Sequence, residues 1–331
     1  MKRIAILGST GSIGKSLLKI IRKDKKLFNI SLLTAHQNYK ELLKQAKFFN
    51  VKNVILTDKK IYILKKKYFE RNNIKAFNDY SSFEKIIFTK LDYVMSSIVG
   101  LEGLLPTLKI IPHTKNIAIA NKESIICGWN LIKKKLKNYK TSFIPVDSEH
   151  FSIWFAINRS NKNNSIKKIY LTASGGPLLN LPLKKIKKIK INQVLKHPNW
   201  TMGKKISVDS STMMNKVFEI IEAKKIFNIN YNQLEILIHP DSYIHAIVEY
   251  KNKMISIIAH DTTMDIPIAN TLYDDMLRDH INFNSLNIKK LNNLNLSNVD
   301  LKRFPLVNIL KYLPYNNSLF ETVLVSANDE L

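Results

Sequence analysis

The sequence predicts an α/β fold whose first half is a doubly wound parallel sheet. In that half, short apolar runs of strand length alternate with segments of helical periodicity. A glycine-rich turn follows the first apolar run, at the point where a strand would pass into a helix. Strands that alternate with helices on this spacing form a parallel sheet with helices on both faces. The second half differs, because its polar motifs lie at the ends of apolar runs.

Amphipathic segments separate the predicted strands of the first half. Ile13, Leu17, Leu18, Ile20 and Ile21 mark one face of the first helix. The predicted strands are residues 3–7, 30–34, 53–56, 91–95, 116–120 and 141–146.

The second half contains fewer periodic segments. Strand-like runs are predicted around 151–172 and again over 234–259. Residues 282–300 are rich in Asn, Leu and Ser and are predicted to form a loose connection. Residues 304–331 are predicted to form a helical hairpin.

Composition limits the class of protein. A chain of 331 residues with 45% hydrophobic residues suits two or three domains with well-filled cores. The formal net charge of +26 comes almost entirely from lysines dispersed over many helices, so we expect solvated faces and no nucleic-acid partner. No apolar run approaches the length of a membrane span. Cys127 is the only cysteine, which excludes an intrachain disulfide and favours a reducing, cytoplasmic compartment.

The turn LGSTGSIGKS, residues 7–16, matches two nucleotide-binding patterns incompletely. A P-loop requires a glycine where Ser9 stands, and a dinucleotide turn requires a different spacing from that of Gly8, Gly11 and Gly14. Its place between a strand and a helix favours a dinucleotide, since the helix N-terminus can then bind the pyrophosphate. An ordinary glycine-rich turn stays possible.

The end of the second strand indicates which dinucleotide binds. NAD sites usually place Asp or Glu there, to bind the ribose 2′-hydroxyl. Here the strand continues into Ala35-His36-Gln37-Asn38, without an acid. The absence of a carboxylate allows NADP, and Lys40 could bind its 2′-phosphate.

The motif PVDSEH, residues 145–150, is the first candidate for chemistry. Asp147 and Glu149 stand two residues apart, so an extended backbone would place both carboxylates on one face. Paired oxygen ligands suit Mg²⁺ or Mn²⁺. Two solvated acids at a strand end are the alternative.

The segment VDSSTMMNKVFEIIEA, residues 208–223, is the second candidate. A helix that begins near Ser211 would place Asn215, Glu219 and Glu222 on one face, with Ser210 at its entrance. Such a helix start can bind phosphate, and Glu219 would be a third metal ligand. A capped amphipathic helix without a ligand explains the same pattern equally well.

The third candidate is the pair of motifs TASGGP and HPNWTMG. Ser174-Gly175-Gly176 reads as a flexible hinge, and Trp200 and Met202 lie near an exposed glycine. This composition suggests a lid over a ligand. A loop whose tryptophan packs down is the preferred alternative from these residues alone.

Together the motifs resemble 1-deoxy-D-xylulose-5-phosphate reductoisomerase, over essentially the whole chain. The resemblance rests on LGSTGSIG, ANKES (Ala120–Ser124), PVDSEH, SGGP, HPNWTMG, ISVDSSTMMNK and ILIHPDSYIH, in family order and at family-like spacing. It implies the NADPH-dependent rearrangement and reduction of 1-deoxy-D-xylulose 5-phosphate to 2-C-methyl-D-erythritol 4-phosphate. This step belongs to non-mevalonate isoprenoid biosynthesis.

The resemblance also implies an organisation into domains. Residues 1–146 would be a Rossmann-like NADPH-binding domain, and 147–281 an α+β catalytic domain. Residues 282–331 would be a linker and an incomplete C-terminal helical domain. A homodimer is implied, with a phosphorylated sugar as substrate and no membrane partner.

The resemblance assigns roles to individual residues. Asp147, Glu149 and Glu219 would bind Mn²⁺ or Mg²⁺, and with Lys122 they would be the catalytic groups. Trp200 and Met202 would lie in the lid. The implied cofactor residues are Thr10, Gly11, Ser12, Ile13, Asn38, Asn121, Glu123 and Gly203. The implied substrate residues are Lys122, Ser148, Glu149, Ser174, His197, Ser210, Asn215, Lys216 and Glu219.

Two departures from the family pattern lead to further expectations. His36 and Gln37 stand where family members often carry Gly and a Lys or Arg, so the preference for NADP over NAD is open. The chain ends at Leu331, before the further helices that the family usually has. The alternative function is therefore a truncated, weakly active or inactive NADP(H)-binding remnant.

Overall fold

The structure is a computed structural model that describes residues 1–159, 165–186, 188–200, 203–273, 288–292, 294–314 and 319–330. The chain divides into two compact units. The first contains residues 1–146 and, of the described residues, also 267–273. The second contains residues 147–266 and the described residues from 288 onward. Within the described ranges, we find no helix that combines the length and the apolar character needed to cross a bilayer.

The first unit is built on a parallel sheet with the strand order β4-β3-β2-β1-β5-β6-β7. Each predicted strand overlaps an observed one, which confirms the α/β prediction. The prediction missed β4, a three-residue edge strand with a single buried side chain. The strands are β1 (Lys2–Leu7), β2 (Phe28–Ala35), β3 (Asn53–Leu56), β4 (Lys75–Phe77), β5 (Tyr93–Ser96), β6 (Asn116–Ile119) and β7 (Ser142–Pro145).

Helices flank this sheet. The predicted face of the first helix is its buried face, with Leu17, Leu18, Ile20 and Ile21 in the core. The helices are α1 (Ser12–Lys23), α2 (Tyr39–Phe48), α3 (Lys59–Glu70), α4 (Phe83–Ile86), α5 (Leu104–Ile110) and α6 (Lys122–Tyr139).

The second unit is built on a mixed sheet with the strand order β11-β10-β8-β9-β12. β8 and β9 are parallel, and the other neighbours are antiparallel. The strands are β8 (Ile166–Ala173), β9 (Leu234–Ile238), β10 (Ile244–Tyr250), β11 (Ile255–Ala259) and β12 (Ser297–Asn298). The helices are α7 (Ser148–Arg159), α8 (Leu183–Ile186), α9 (Ile191–Val194), α10 (Lys204–Ser211), α11 (Met214–Phe227), α12 (Asp265–Tyr273, which passes into the first unit), α13 (Ile288–Asn292) and α14 (Phe320–Glu330).

Three predictions for this half were wrong in part. The run that begins at Phe151 starts within α7, because a short apolar run does not distinguish a buried helix from a strand. The connection predicted over 282–300 contains α13 and the strand β12, which pairs with β9. The helix predicted to begin near Ser211 begins at Met214, and Ser210 and Ser211 belong to the end of the preceding helix α10.

The last described helix, α14, is anchored at both ends. The buried Glu321 accepts a hydrogen bond of 2.5 Å from Tyr231 and pairs with Lys224 and Lys225. At the other end, Asp329 lies 3.0 Å from Lys205 on α10. α14 therefore ties together α10 and α11, the two helices that carry several predicted site residues.

The glycine turn between β1 and α1 requires two of its glycines. Gly8 has a φ of +82°, and a Cβ there would lie 2.9 Å from the carbonyl oxygen of Ser97. A Cβ at Gly14 would lie 2.6 Å from both the Gly8 oxygen and the Ser9 Cα. A Cβ at Gly11 would have only one contact, at 3.4 Å, an ordinary van der Waals distance.

This difference predicts unequal effects of the same substitution. Gly14→Ser should lower the free energy of unfolding of the first unit by about 1–3 kcal/mol, because the turn must shift to accept a Cβ. Gly11→Ser should be tolerated, since Gly11 is the N-cap of α1 and serine is favoured there. Thermal melting followed by circular dichroism measures both variants. Equal melting temperatures would contradict the packing argument.

Candidate active site

Three carboxylates converge at the start of α7 and on α11. One oxygen from each of Asp147, Glu149 and Glu219 lies within 4.8 Å of the others. Asp147 precedes α7, Glu149 lies in its first turn, and Glu219 is buried on α11. Three converging carboxylate oxygens form the hard donor set that Mg²⁺ or Mn²⁺ prefers. The residues present therefore fit a divalent cation.

The backbone geometry of this cluster differs from the prediction. The expectation that Asp147 and Glu149 lie on an extended segment is wrong, because the helix begins at Ser148. The Asp147 Oδ1 atom instead accepts a hydrogen bond of 3.3 Å from the Glu149 amide. Ser148 donates from its hydroxyl to Glu149 Oε2 at 2.5 Å. The first turn of α7 brings the two carboxylates together, which is the outcome that the extended backbone was expected to give.

Lys216 supplies a positive charge to the cluster. Its Nζ atom lies 2.5 Å from Glu149 Oε1 and 2.7 Å from Glu219 Oε2. Burial alone would lower the pKa of Lys216, but the two glutamates outweigh burial and raise it. Burial and the neighbouring Glu219 raise the pKa of Glu149 to about 7, against the opposing effect of Lys216. One ammonium therefore does not neutralise three acids.

A second layer of groups surrounds the acids. Asn215 donates from Nδ2 to Glu219 Oε1 at 2.5 Å, so the predicted helical face is formed as expected. The buried His150 has Nδ1 at 3.6 Å from Asp147 and 3.8 Å from Glu222. Burial opposes protonation of His150, but Glu222 and then Asp147 raise its pKa to about 9. The raised pKa favours the protonated form of His150 at neutral pH, which adds a second positive charge beside the cluster.

The hydrogen bonds of His197 define its protonation. Its Nδ1 atom accepts from the backbone amides of Asn199 and Trp200, at 3.1 and 3.0 Å. The single proton of the neutral ring is therefore on Nε2, which lies 3.0 Å from the Ser174 hydroxyl oxygen. That oxygen also accepts from the Gly176 amide at 3.0 Å. Ser174 is left to donate its own hydrogen to a ligand.

Gly176 brings the Ser174 loop against α10. It has a φ of +61°, and a Cβ there would lie 3.2 Å from the Ser210 carbonyl oxygen. A side chain would therefore strain the backbone and push the loop away from α10. Ser174 and Ser210, predicted from separate motifs, belong to segments that contact each other.

Trp200 lies on the loop that His197 organises. Its indole meets the His245 ring edge-on, with ring centroids 6.1 Å apart. Asn199 attaches the same loop to the Ser242 hydroxyl at 2.9 Å. Met202, the other predicted lid residue, lies outside the described residues.

The first unit carries the predicted dinucleotide turn. Thr10, Gly11, Ser12 and Ile13 lie where β1 passes into α1, and none of them is fully buried. Within the described part of the chain, no side chain caps α1. The amides of its first turn are therefore placed to donate to a phosphate.

The end of β2 is tied to the end of β3. His36 Nδ1 lies 2.9 Å from the Thr57 hydroxyl, and Gln37 donates to Asp58 at 2.9 Å. Asn38 accepts from the Glu41 amide and caps α2. The Gln37 amide is thus engaged by a carboxylate.

The remaining predicted residues lie at helix starts. Asn121 caps α6 and donates to the Gly100 carbonyl at 2.7 Å, so its side chain holds a neighbouring loop. Lys122 and Glu123 follow it in the first turn of α6. Gly203 is the N-cap of α10, in the second unit.

Sequence reasoning gave no role to several residues of the site. His150 and Glu222 stood in recognised motifs, yet their pairing joins residues far apart in the chain. His245 and His260 stack with their ring centroids 3.7 Å apart. His245 is the last residue of the ILIHPDSYIH motif, so the sequence could have indicated a role for it. No motif in the local sequence contains His260.

Comparison with known proteins gives consistent matches. A family model described as 1-deoxy-D-xylulose 5-phosphate reductoisomerase matches residues 4–128, and one for its C-terminal domain matches residues 143–227. The reductoisomerase of Pelagibacter ubique (strain HTCC1062) is 60% identical, over 100% of this chain and 85% of its own length. That of Wolbachia pipientis wMel is 39% identical, over 99% of this chain and 84% of its own.

Solved structures agree. The reductoisomerase from Zymomonas mobilis in complex with NADPH superposes with a TM-score of 0.84 and 32% identity, covering 94% of this chain and 80% of that one. A DOX-P reductoisomerase in complex with NADPH, fosmidomycin and magnesium gives a TM-score of 0.85 and 32% identity, over 94% and 79%.

The protonation of His197 predicts a loop that loosens in acid. Burial, and then Lys216, lower the pKa of His197 below its ordinary 6.5. A histidine with a lowered pKa stabilises the folded loop above pH 6.5, and this contribution is lost as the pH falls through the lowered pKa. Hydrogen exchange of the Asn199 and Trp200 amides, corrected for the intrinsic effect of pH, should therefore lose protection in acid. Amides of β8 serve as the internal control, and unchanged protection of the loop would refute the assignment.

Proposed function

This chain belongs to the 1-deoxy-D-xylulose 5-phosphate reductoisomerase family, and we propose that Asp147, Glu149 and Glu219 form its metal centre. The enzyme is an NADP-dependent oxidoreductase that converts 1-deoxy-D-xylulose 5-phosphate to 2-C-methyl-D-erythritol 4-phosphate in isoprenoid biosynthesis, with NADPH and Mg²⁺ or Mn²⁺. The observation that carries the proposal is the convergence of three carboxylate oxygens within 4.8 Å. An intact cluster of this kind favours an active enzyme over an inactive remnant.

The charges of the cluster explain how the metal and Lys216 share it. When bound, the cation polarises the substrate carbonyl and stabilises negative charge that develops on its oxygen. Glu149 and Glu219 would hold the cation, and their charge would then be shared between it and the Lys216 ammonium. Lys216 can then donate to an anionic group of the substrate. Ser148 holds Glu149 in place through its hydrogen bond and is available to a substrate hydroxyl.

The segments around Ser174 and Ser210 form the binding site that we propose for the substrate phosphate. Ser174 has a hydrogen left to donate, and His197 fixes the orientation of its hydroxyl. Binding energy from a non-reacting phosphate can orient the reacting end and close a lid such as the loop of Trp200. The substrate residues that we propose are Lys122, Ser148, Glu149, Ser174, His197, Ser210, Asn215, Lys216 and Glu219.

The turn between β1 and α1 supports NADPH binding by the first unit. The amides of the first turn of α1, which no side chain of the described residues caps, and the positive end of the α1 dipole favour the pyrophosphate. We assign residues 1–146 to NADPH binding, 147–281 to metal and substrate, and 282–331 to a linker and C-terminal helical segment. Within the second range, the described residues 267–273 pack with the first unit. The cofactor residues that we propose are Thr10, Gly11, Ser12, Ile13, Asn38, Asn121, Glu123 and Gly203.

Removing one acid tests the metal centre. Asp147→Asn, Glu149→Gln and Glu219→Gln should each lower kcat at least about 100-fold, since loss of a group that merely supports a metal ligand already costs 10–100-fold. NADPH affinity, measured by fluorescence titration, should stay within about twofold, because the dinucleotide turn is unchanged. The control is Glu235→Gln, which removes an acid of the same unit that pairs with Lys168. Full activity in the three variants, or equal loss of NADPH binding, would refute the assignment.

We also propose a homodimer, formed in the cytoplasm, where the reaction finds its NADPH. β11 is an edge strand of the second sheet, and Ile255 and Ile257 on it are 58% and 51% exposed. An exposed apolar edge strand is a site for pairing with another chain. A second copy of the same strand is the simplest complement.

Light scattering tests the dimer. On a size-exclusion column with light-scattering detection, the chain should have twice the mass of one copy. Ile257→Lys should shift it towards the monomer, because a charge would be buried at the interface. Ile63→Lys is the matched control, since Ile63 is an isoleucine 65% exposed on α3. A monomeric wild-type chain, or an unaltered Ile257→Lys dimer, would contradict this proposal.

A further inference from the structure

Two histidine rings stack beneath the loop of Trp200. His245 lies on β10, and His260 follows β11. Their ring centroids are 3.7 Å apart, and the ring planes differ by 16°. Both side chains are buried. The proposed chemistry uses neither ring.

The hydrogen bonds of the two rings fix their protonation. His245 Nε2 lies 3.1 Å from the His260 carbonyl oxygen, and His260 Nδ1 lies 2.8 Å from the Asp261 carbonyl oxygen. A carbonyl only accepts, so each of these nitrogens carries the proton of a neutral ring. His260 Nε2 is then unprotonated, and within the described part of the chain it is buried without a hydrogen-bond partner. A second proton on His260 would have no acceptor.

Burial, the largest effect on both rings, also keeps the pair neutral. Burial lowers the pKa of both rings, and the Lys216 ammonium lowers that of His245 further. Asp147 opposes this effect at His245, and Asp261 opposes it at His260. Asp261 is itself paired with Lys290 at 2.5 Å. Two neutral, buried rings stacked in this way present a flat surface.

Trp200 rests on that surface. Its ring stands at 74° to the His245 ring, the edge-to-face arrangement that aromatic pairs favour. The order of contact is therefore His260 against His245, and His245 against Trp200. His260 covers one face of the His245 ring and limits its movement in that direction.

We propose that His260 is a positioning residue for the substrate: it holds His245 in the orientation on which Trp200 rests when the loop covers the sugar phosphate. The inference depends on the proposed function, because it assumes that the Trp200 loop closes over the substrate. Nothing in the proposed metal chemistry requires a flat ring at this position. Loss of the His260 ring should therefore weaken substrate binding more than it slows the chemical step.

Two substitutions of similar volume test the stack. His260→Leu fills the space without a flat ring, and an aromatic contact of this kind corresponds to about a three- to tenfold effect on binding. The KM for 1-deoxy-D-xylulose 5-phosphate should rise by that factor, with kcat changed less than twofold and the KM for NADPH unchanged. His260→Phe keeps a flat ring and should restore the wild-type KM.

The controls separate positioning from folding. Circular dichroism checks that each variant is folded, and His260→Gln replaces the leucine variant if that one does not fold. His113→Ala removes a histidine from another aromatic pair, with Phe83 in the first unit, and should leave the substrate KM unchanged. A wild-type KM in the leucine variant, or an equal rise in the leucine and phenylalanine variants, would overturn the inference. An inactive wild-type enzyme would instead count against the proposed function itself.

Discussion

Repulsion among three carboxylates is the constraint on which the second unit depends. Asp147, Glu149 and Glu219 approach within 4.8 Å, and Glu149 has its pKa raised to about 7 as a result of burial and of that proximity. Lys216 and His150 supply the opposing charges within the same cluster. Without these cations, the start of α7 and the face of α11 would repel each other. Their charges thus keep the site assembled and ready for a divalent metal, and a carboxylate cluster without them would be costly to fold.

Loops in each of the two units depend on close backbone contacts. Gly176 lets the Ser174 loop approach α10, and Gly14 lets α1 pack against its own turn. His197 accepts two amides of the loop that carries Trp200, so one neutral ring fixes both that loop and the Ser174 hydroxyl. At Gly176 and Gly14 only a glycine leaves enough space for the neighbouring backbone. The functional groups on these loops are therefore oriented before any ligand binds. Such prior orientation reduces the entropy that substrate binding must overcome.

Local patterns in the sequence predicted much of the fold and part of the site. Strand and helix alternation gave the first sheet, because its parallel strands are buried apolar runs with clear boundaries. Asn215 and Glu219 could be placed on one face because a helix has a fixed period. The extended geometry expected for Asp147 and Glu149 was wrong, since two acids separated by one residue do not show whether the backbone is extended or helical. The pairing of His150 with Glu222 and the stack of His245 with His260 depend on tertiary packing, which no local pattern encodes. The roles assigned to single site residues stay predictions.

Electron paramagnetic resonance of Mn²⁺ bound to the purified chain tests the central claim most directly. The claim is that three acids bind one cation, while Lys216 and His150 act as counter-charges. The free Mn²⁺ signal should disappear with one equivalent per chain, and binding should weaken as the pH falls below about 7, because protonation of Glu149 then competes with the metal. Absence of bound Mn²⁺ would contradict the account. Two equivalents would contradict it as well, since His150 and Glu222 would then be metal ligands and not part of the charge balance.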